Sequence, residues 1–456
     1  MKKILVFLLF TCTVLQAQYK ISGTLTPPNN YKNALLYKVE GARQLYIKNA
    51  KIKLDTIIQN KTQKIIGSFQ FVFNNDMQPG SYRVTYDLQN GGFADFLFNK
   101  ENVSFTVNPN APQPIIKFLK SKENILYSDF LNDISLGQYE TDSLQIAYLK
   151  DPSLKNAKAY KSAIKNIQEI QAKYVKNSEG ALVSHFIKAT DRYNAPEPAK
   201  TPNQYFNGVL SHFFDNIDFT NTYLYNSSFL IDRISDYVFY MNYTEDRDQQ
   251  LVLHKNAIDK VMSVIENQKF KADVIEFLAS QFSTAKEIQI VDYIITKHFD
   301  KLPAKFQNLD FKNKMLRNLS VAVGRTAPDF SWEENGKTIK LSELNDAKHY
   351  VLVFYSTECS HCLREVPQLF EFMKGKDHVK VIAFAMEKID VSWKKFKSTL
   401  PGWHHALGLG KWENKVARTY QIVSTPTYFV LDSSKKIIGN PEELVDLKAA
   451  VSQLKM

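Results

Sequence analysis

The stretch Val351-Leu352-Val353-Phe354-Tyr355, followed by Ser356-Thr357-Glu358-Cys359-Ser360-His361-Cys362 and then Leu363-Arg364-Glu365-Val366-Pro367, decides the reading of this chain. The fully apolar run Val351–Tyr355 predicts a strand buried on both faces. Leu363, Val366, Leu369, Phe370 and Met373 recur at helical spacing, so a helix with one buried stripe is expected to follow. The two cysteines then sit where a buried strand ends and a helix begins. Free amides and the helix dipole at such an N-terminus favour an anion, here the Cys359 thiolate. Two intervening residues let the Cys362 sulfur approach from the first helical turn, which suits a bond between the sulfurs that opens and closes.

Three other uses of the pair fit less well. A structural zinc site needs four ligands, and no second cysteine pair completes one. Haem attachment wants His directly after the second cysteine, where Leu363 stands. A purely structural bridge over so short a segment closes little loop and stabilises weakly. Ser360 and His361 fill the motif. A protonated His361 would favour the thiolate, whereas Glu358 would oppose it, and the balance is open at this level. Glu365, one turn after Cys362, suits either proton exchange with that cysteine or simple complementation of the helix dipole. Pro426, in Ser424-Thr425-Pro426-Thr427, precedes a strand; a cis bond there would turn the Thr425 backbone toward the cysteines, and an ordinary trans loop is the alternative.

Outward from this centre, 379–385, 427–431 and 436–438 read as further strands. Residues 392–400, 414–420 and the stripe Leu444, Leu447, Val451 and Leu454 read as helices. Alternating strands and helices imply a mainly parallel sheet covered on both faces. Residues 118–320 change to helical periodicity, as in Ile258, Val261, Met262 and Ile265, and predict an all-helical domain of about six helices. Its histidines (His185, His212, His254 and His298) are isolated and form no metal-ligand cluster. Residues 18–115 carry short aromatic and β-branched runs, such as Tyr19–Leu25, 69–73, 81–86 and Val103–Val107, split by turn clusters. They predict a β-sandwich with an exit linker at 108–114. The expected architecture is thus multidomain: β-sandwich (18–115), all-α (118–320) and α/β (321–456).

The first residues, Met1-Lys2-Lys3, an apolar run to Val14 and Leu15-Gln16-Ala17, have the form of a signal peptide spanning 1–17 and cleaved after Ala17. The run is too short for a stable membrane anchor, and Phe10-Thr11 before Cys12 is a poor lipoprotein cleavage sequence. Removing it leaves two of the three cysteines, both in the motif, so sulfur chemistry is concentrated at one point. The net charge of +11 falls by two without Lys2 and Lys3, and the remaining lysines are dispersed. That is a basic soluble surface rather than a nucleic-acid site. At 44% hydrophobic residues, disorder is excluded.

Val323-Gly324-Arg325-Thr326-Ala327-Pro328-Asp329-Phe330, the 351–355 strand, Cys359-Ser360-His361-Cys362, 363–367 and Ser424-Thr425-Pro426-Thr427 together resemble the TlpA/ResA-like thiol–disulfide oxidoreductases. The resemblance covers about residues 320–456. It implies a thioredoxin fold with an added N-terminal strand or hairpin and a strand–helix insertion near 379–406. It also implies Cys359 as nucleophile, Cys362 as resolving thiol, Glu365 as proton-exchanging carboxylate, a cis Pro426, and Pro367 bending the active-site helix. No bound cofactor is implied. The implied partners are exported protein thiols or disulfides and a membrane electron donor, with reduction as the direction and the periplasm or cell envelope as the location. Glu358 departs from the family's usual Trp. Two rival functions are a peroxiredoxin-like peroxidase, whose usual proline before the cysteine is missing here, and a redox-inactive binding module that engages an envelope partner through residues 19–320.

Overall fold

The computed structural model describes residues 18–59, 61–73, 77–111 and 116–455. The expected signal peptide, with Cys12, lies outside them. Among the described residues no helix is long and apolar enough to cross a membrane. The chain forms two compact units, one through Val274 and one from Ile275 onward.

The first unit opens with β1 (Tyr19–Leu25), β2 (Asn33–Glu40), β3 (Arg43–Lys51), β4 (Lys53–Gln59), β5 (Thr62–Phe73), β6 (Gly80–Asp87), β7 (Gly92–Phe98), β8 (Val103–Val107) and β9 (Ile116–Lys120). They form a five-stranded sheet, β4-β5-β1-β8-β9, and a four-stranded sheet, β3-β2-β6-β7. Alternate residues of both sheets, among them Ile21, Phe71 and Phe105 on one and Leu36, Val84 and Phe96 on the other, share one core. That is the expected sandwich. It continues past residue 115, because β9 pairs antiparallel with β8; of the expected exit linker, residues 112–114 lie outside the described residues.

Helices α1 (Lys122–Lys150), α2 (Leu154–Asn177), α3 (Val183–Ala189), α4 (Pro202–Ser211), α5 (Thr222–Tyr225), α6 (Phe229–Ser235), α7 (Arg247–Val264), α8 (Gln268–Thr284), α9 (Ile288–Tyr293) and α10 (Leu309–Asn318) follow. There are more than the six expected because several are only one or two turns long. Buried Asn124 at the start of α1 acts as a surrogate strand. Its amide exchanges two hydrogen bonds with the Leu97 backbone, at 2.8 and 2.7 Å, and so satisfies part of the edge of β7.

The second unit takes in residues 275–320 as well as the α/β region, so the compositional change near 320 does not mark its edge. Arg325 grips Asp292 of α9 through two bonds of 2.8 and 2.6 Å. A hairpin, β10 (Ser331–Glu334) with β11 (Lys337–Lys340), matches the strand pair that the resemblance implies. The central sheet contains β12 (His349–Tyr355), β13 (Val379–Glu387), β14 (His404–Leu409), β15 (Thr427–Asp432) and β16 (Ile437–Gly439), in the order β14-β13-β12-β15-β16. Strands β12, β13, β14 and β16 point the same way and β15 runs against them, so two of the four strand pairs are antiparallel and the sheet is mixed rather than mainly parallel. The short turn between β15 and β16, Ser433 to Lys436, leaves no room for a crossover helix.

On β12 the side-chain alternation divides two cores. Val351, Val353 and Tyr355 face α11 (Ser360–Met373), α12 (Val391–Lys397) and α14 (Leu444–Ser452), whereas Tyr350, Leu352 and Phe354 face the hairpin and α13 (Lys415–Thr419). The buried stripe of α11 is Cys362, Val366, Leu369 and Met373. Leu363 does not belong to it and is 46% exposed. Cys362 itself occupies the first inward position, which turns Leu363 about 100° away.

Candidate active site

Strand β12 delivers the chain to Ser356, and three residues later α11 begins with Cys359 as its N-cap. The Cys359 sulfur accepts from the Cys362 amide at 3.4 Å, taking the place that a Ser or Asp oxygen usually fills. Cys359 is half-buried and Cys362 fully buried, and both are free thiols. The Thr425–Pro426 bond is cis, and the Cys359 thiol donates to the Thr425 carbonyl at 3.3 Å. The loop before β15 and the start of α11 therefore meet at one sulfur, although 66 residues separate them.

The two sulfurs are made chemically unequal. Burial pushes the Cys359 thiol up, but hydrogen bonds from the Cys362 thiol and amide, the Thr425 side chain and the His361 amide outweigh it, leaving the group below its ordinary value. Burial pushes the Cys362 thiol up to about 12, reinforced by its bond to Cys359. A nucleophilic sulfur acts as a thiolate, and of the two it is Cys359 whose lowered, accessible sulfur suits attack. With reduced protein near pH 8, iodoacetamide is expected to label Cys359 at least about tenfold faster than Cys362, as read by peptide mass. Equal labelling would contradict the asymmetry.

Glu365 points into the site. Its carboxylate accepts from the Tyr428 hydroxyl at 3.1 Å and from Arg364 at 3.1 Å. Tyr428 is pushed up by burial, by the Glu365 charge and by the nearby cysteines, so it remains a donor to that carboxylate. Arg364 also reaches the His361 Nδ1 at 3.0 Å. The same nitrogen lies 4.0 Å from the Glu365 carboxylate. His361 thus reaches the Cys359 sulfur through its backbone amide, while its exposed ring engages Arg364. Ser360 is exposed at the first helical position. Beside these residues lies a groove of about 590 Å³, whose lining includes His361, Arg364, Glu365, Thr425, Pro426 and Lys448.

All seven residues singled out by the sequence are therefore brought to one place. Tyr428 and Arg364 were not singled out, although each is next to or near a motif residue. Lys411, which bonds the Glu358 carboxylate, carries no local signal at all. No group of His, Cys, Asp and Glu able to hold a metal occurs among the described residues.

A strand–CxxC–helix unit facing a cis-proline loop, on a mixed sheet with helices on both sides, defines a thioredoxin-fold dithiol. Comparison with known proteins agrees. The AhpC/TSA family matches residues 323–439. The thiol–disulfide oxidoreductase ResA of Geobacillus thermodenitrificans is 27% identical over 151 residues, covering 32% of this chain and 85% of that protein. ResA of Bacillus thuringiensis is 30% identical over 120 residues, 25% of this chain and 67% of its own length. Among solved structures, a domain of a possible thiol-disulfide isomerase from Cytophaga hutchinsonii is 29% identical and covers 29% of this chain and 91% of that one, with a TM-score of 0.26. A thioredoxin-like protein from Bacteroides caccae is 14% identical and covers 57% of this chain and 97% of that one, with a TM-score of 0.28. Through its C-terminal region, the chain belongs to the ResA-like thiol–disulfide oxidoreductases.

Proposed function

We propose that this protein is exported and reduces disulfides of envelope proteins. The Cys359 thiolate attacks one sulfur of a substrate disulfide, forming a mixed disulfide and expelling the other substrate sulfur as thiolate. Glu365 then takes the proton of Cys362. The resulting thiolate attacks Cys359, releases the second substrate thiolate and leaves a Cys359–Cys362 disulfide. Two electrons pass to the substrate, and a membrane donor restores the dithiol. Pro426 and Thr425 form the surface on which the substrate strand lies, and Ser360 and His361 border it.

The observation that carries this reading is the pairing of an accessible, lowered Cys359 with a buried, raised Cys362. The direction draws on the resemblance of residues 320–456 to the ResA-like oxidoreductases. Export draws on the N-terminal signal sequence.

The expected reduction potential of the Cys359–Cys362 couple lies below about −200 mV, on the thioredoxin side of the scale. Equilibration with glutathione or dithiothreitol buffers measures it. A value near about −120 mV, that of a strong oxidant, would overturn the reductase direction. Peroxide consumption by the reduced chain with no protein partner would favour the peroxidase reading instead.

A further inference from the structure

Glu358 directly precedes Cys359, where a free carboxylate would oppose a thiolate. Its carboxylate is instead bonded by Lys411, from the turn after β14, with Lys388 as a second cation nearby. That holds the Glu358 carboxyl below the usual range, the bond to Lys411 being the principal cause. The same turn is tied to the end of β13, because the Gly410 N–H donates to the Glu387 carbonyl at 3.0 Å. The Glu387 side chain is the one charged group of this region driven fully inside, only 1% exposed, and it accepts from the Thr357 N–H at 2.6 Å. Burying a carboxylate is costly unless donors compensate it, and here the donor is the loop that carries the nucleophile. Successive residues and bonds close a ring: Thr357, Glu358, Lys411, Gly410, Glu387 and back to Thr357.

We propose that this ring is a clasp that fixes the 356–359 loop and cancels the charge of Glu358, and that Lys411 is a positioning residue for the Cys359 sulfur. The inference rests on the thiol-exchange reading for its purpose. It explains how the chain tolerates an acidic residue before its reactive cysteine: the opposing charge comes from a lysine 53 residues further along. Glu387 supplies the mechanical half, joining the Cys359 loop and the Lys411 turn to one strand end. The other charged or titratable groups around the two sulfurs are His361, Arg364 and Glu365 on α11, Tyr428 on β15 and Tyr355 on β12.

The test follows the pH dependence of iodoacetamide alkylation at Cys359 in the reduced full chain, with the labelled residue identified by peptide mass. Lys411→Met is expected to move the midpoint up by about half a pH unit, which means about threefold less thiolate below the midpoint. Adding Glu358→Gln is expected to return the midpoint to the parent's. An unchanged profile in Lys411→Met, or no return in the double variant, overturns the charge cancellation. For the mechanical half, Glu387→Ala is expected to speed amide exchange at Thr357 by about tenfold, while Glu387→Gln, which keeps an acceptor, stays close to the parent. Equal exchange in both variants overturns the clasp. Alkylation needs no disulfide substrate, so a chain that alkylates as expected yet reduces nothing would defeat the proposed function and leave this inference standing.

Discussion

Cys359→Ser is expected to lower disulfide-exchange turnover by more than about a thousandfold, because a serine alkoxide is not accessible near neutral pH and the buried Cys362 cannot take over. The substitution is nearly isosteric, and a hydroxyl can still cap α11, so the fold should persist. Cys362→Ser is expected to behave differently. The first attack proceeds, but the intermediate has no internal thiol to resolve it, and a mixed disulfide accumulates on Cys359. Non-reducing electrophoresis followed by mass spectrometry reads both outcomes and identifies the trapped substrates. Undiminished biological activity in Cys359→Ser would sink the enzymatic reading in favour of a protein that only binds its partner.

Phe354→Ala is expected to cost about 3–5 kcal/mol of stability in the unit beginning at Ile275. Phe354 lies on the central strand β12 with no exposure, and its ring meets Phe384 at 5.0 Å, Tyr420 at 4.9 Å and Phe429 at 6.1 Å. Three aromatic neighbours cannot all move into the space left behind, so the cavity persists. Against a typical total of about 5–15 kcal/mol, that loss is large. It should lower the melting temperature of the transition for this unit by roughly 10 °C, measured calorimetrically on the reduced protein. Phe354→Leu, which keeps most of the volume, is expected to lose less than half as much. A shift below about 2 °C for the alanine variant would show that the second core is looser than its packing indicates.

The part of the molecule most legible in the sequence was the part with the strongest local constraints. An apolar run such as Val351–Tyr355 fits little besides a doubly buried strand, and β1 and β8 were bounded correctly by alternation alone. Cys359, Cys362 and Glu365 share a helix, so spacing alone brings them close. Pro426 announced itself as a proline before a strand. Strand β14 was missed because His404-His405-Ala406-Leu407-Gly408-Leu409 lacks β-branched residues and is read as strand only through its pairing with β13. Strand β4, at a sheet edge, is largely exposed and has no clean alternation. Leu363 was placed in the core because an apolar residue at helical spacing was given more weight than the cysteine beside it. Lys411 and Glu387 act through tertiary contacts, and no periodicity marks such residues.

Both described cysteines are free thiols, and the sandwich and the two faces of the α/β sheet are held by aromatic and aliphatic packing. The scaffold is therefore electrochemically silent. A bench reductant strong enough to reduce the couple at α11 meets no structural bridge among the described residues, so within them potentiometric titration reports on that couple alone.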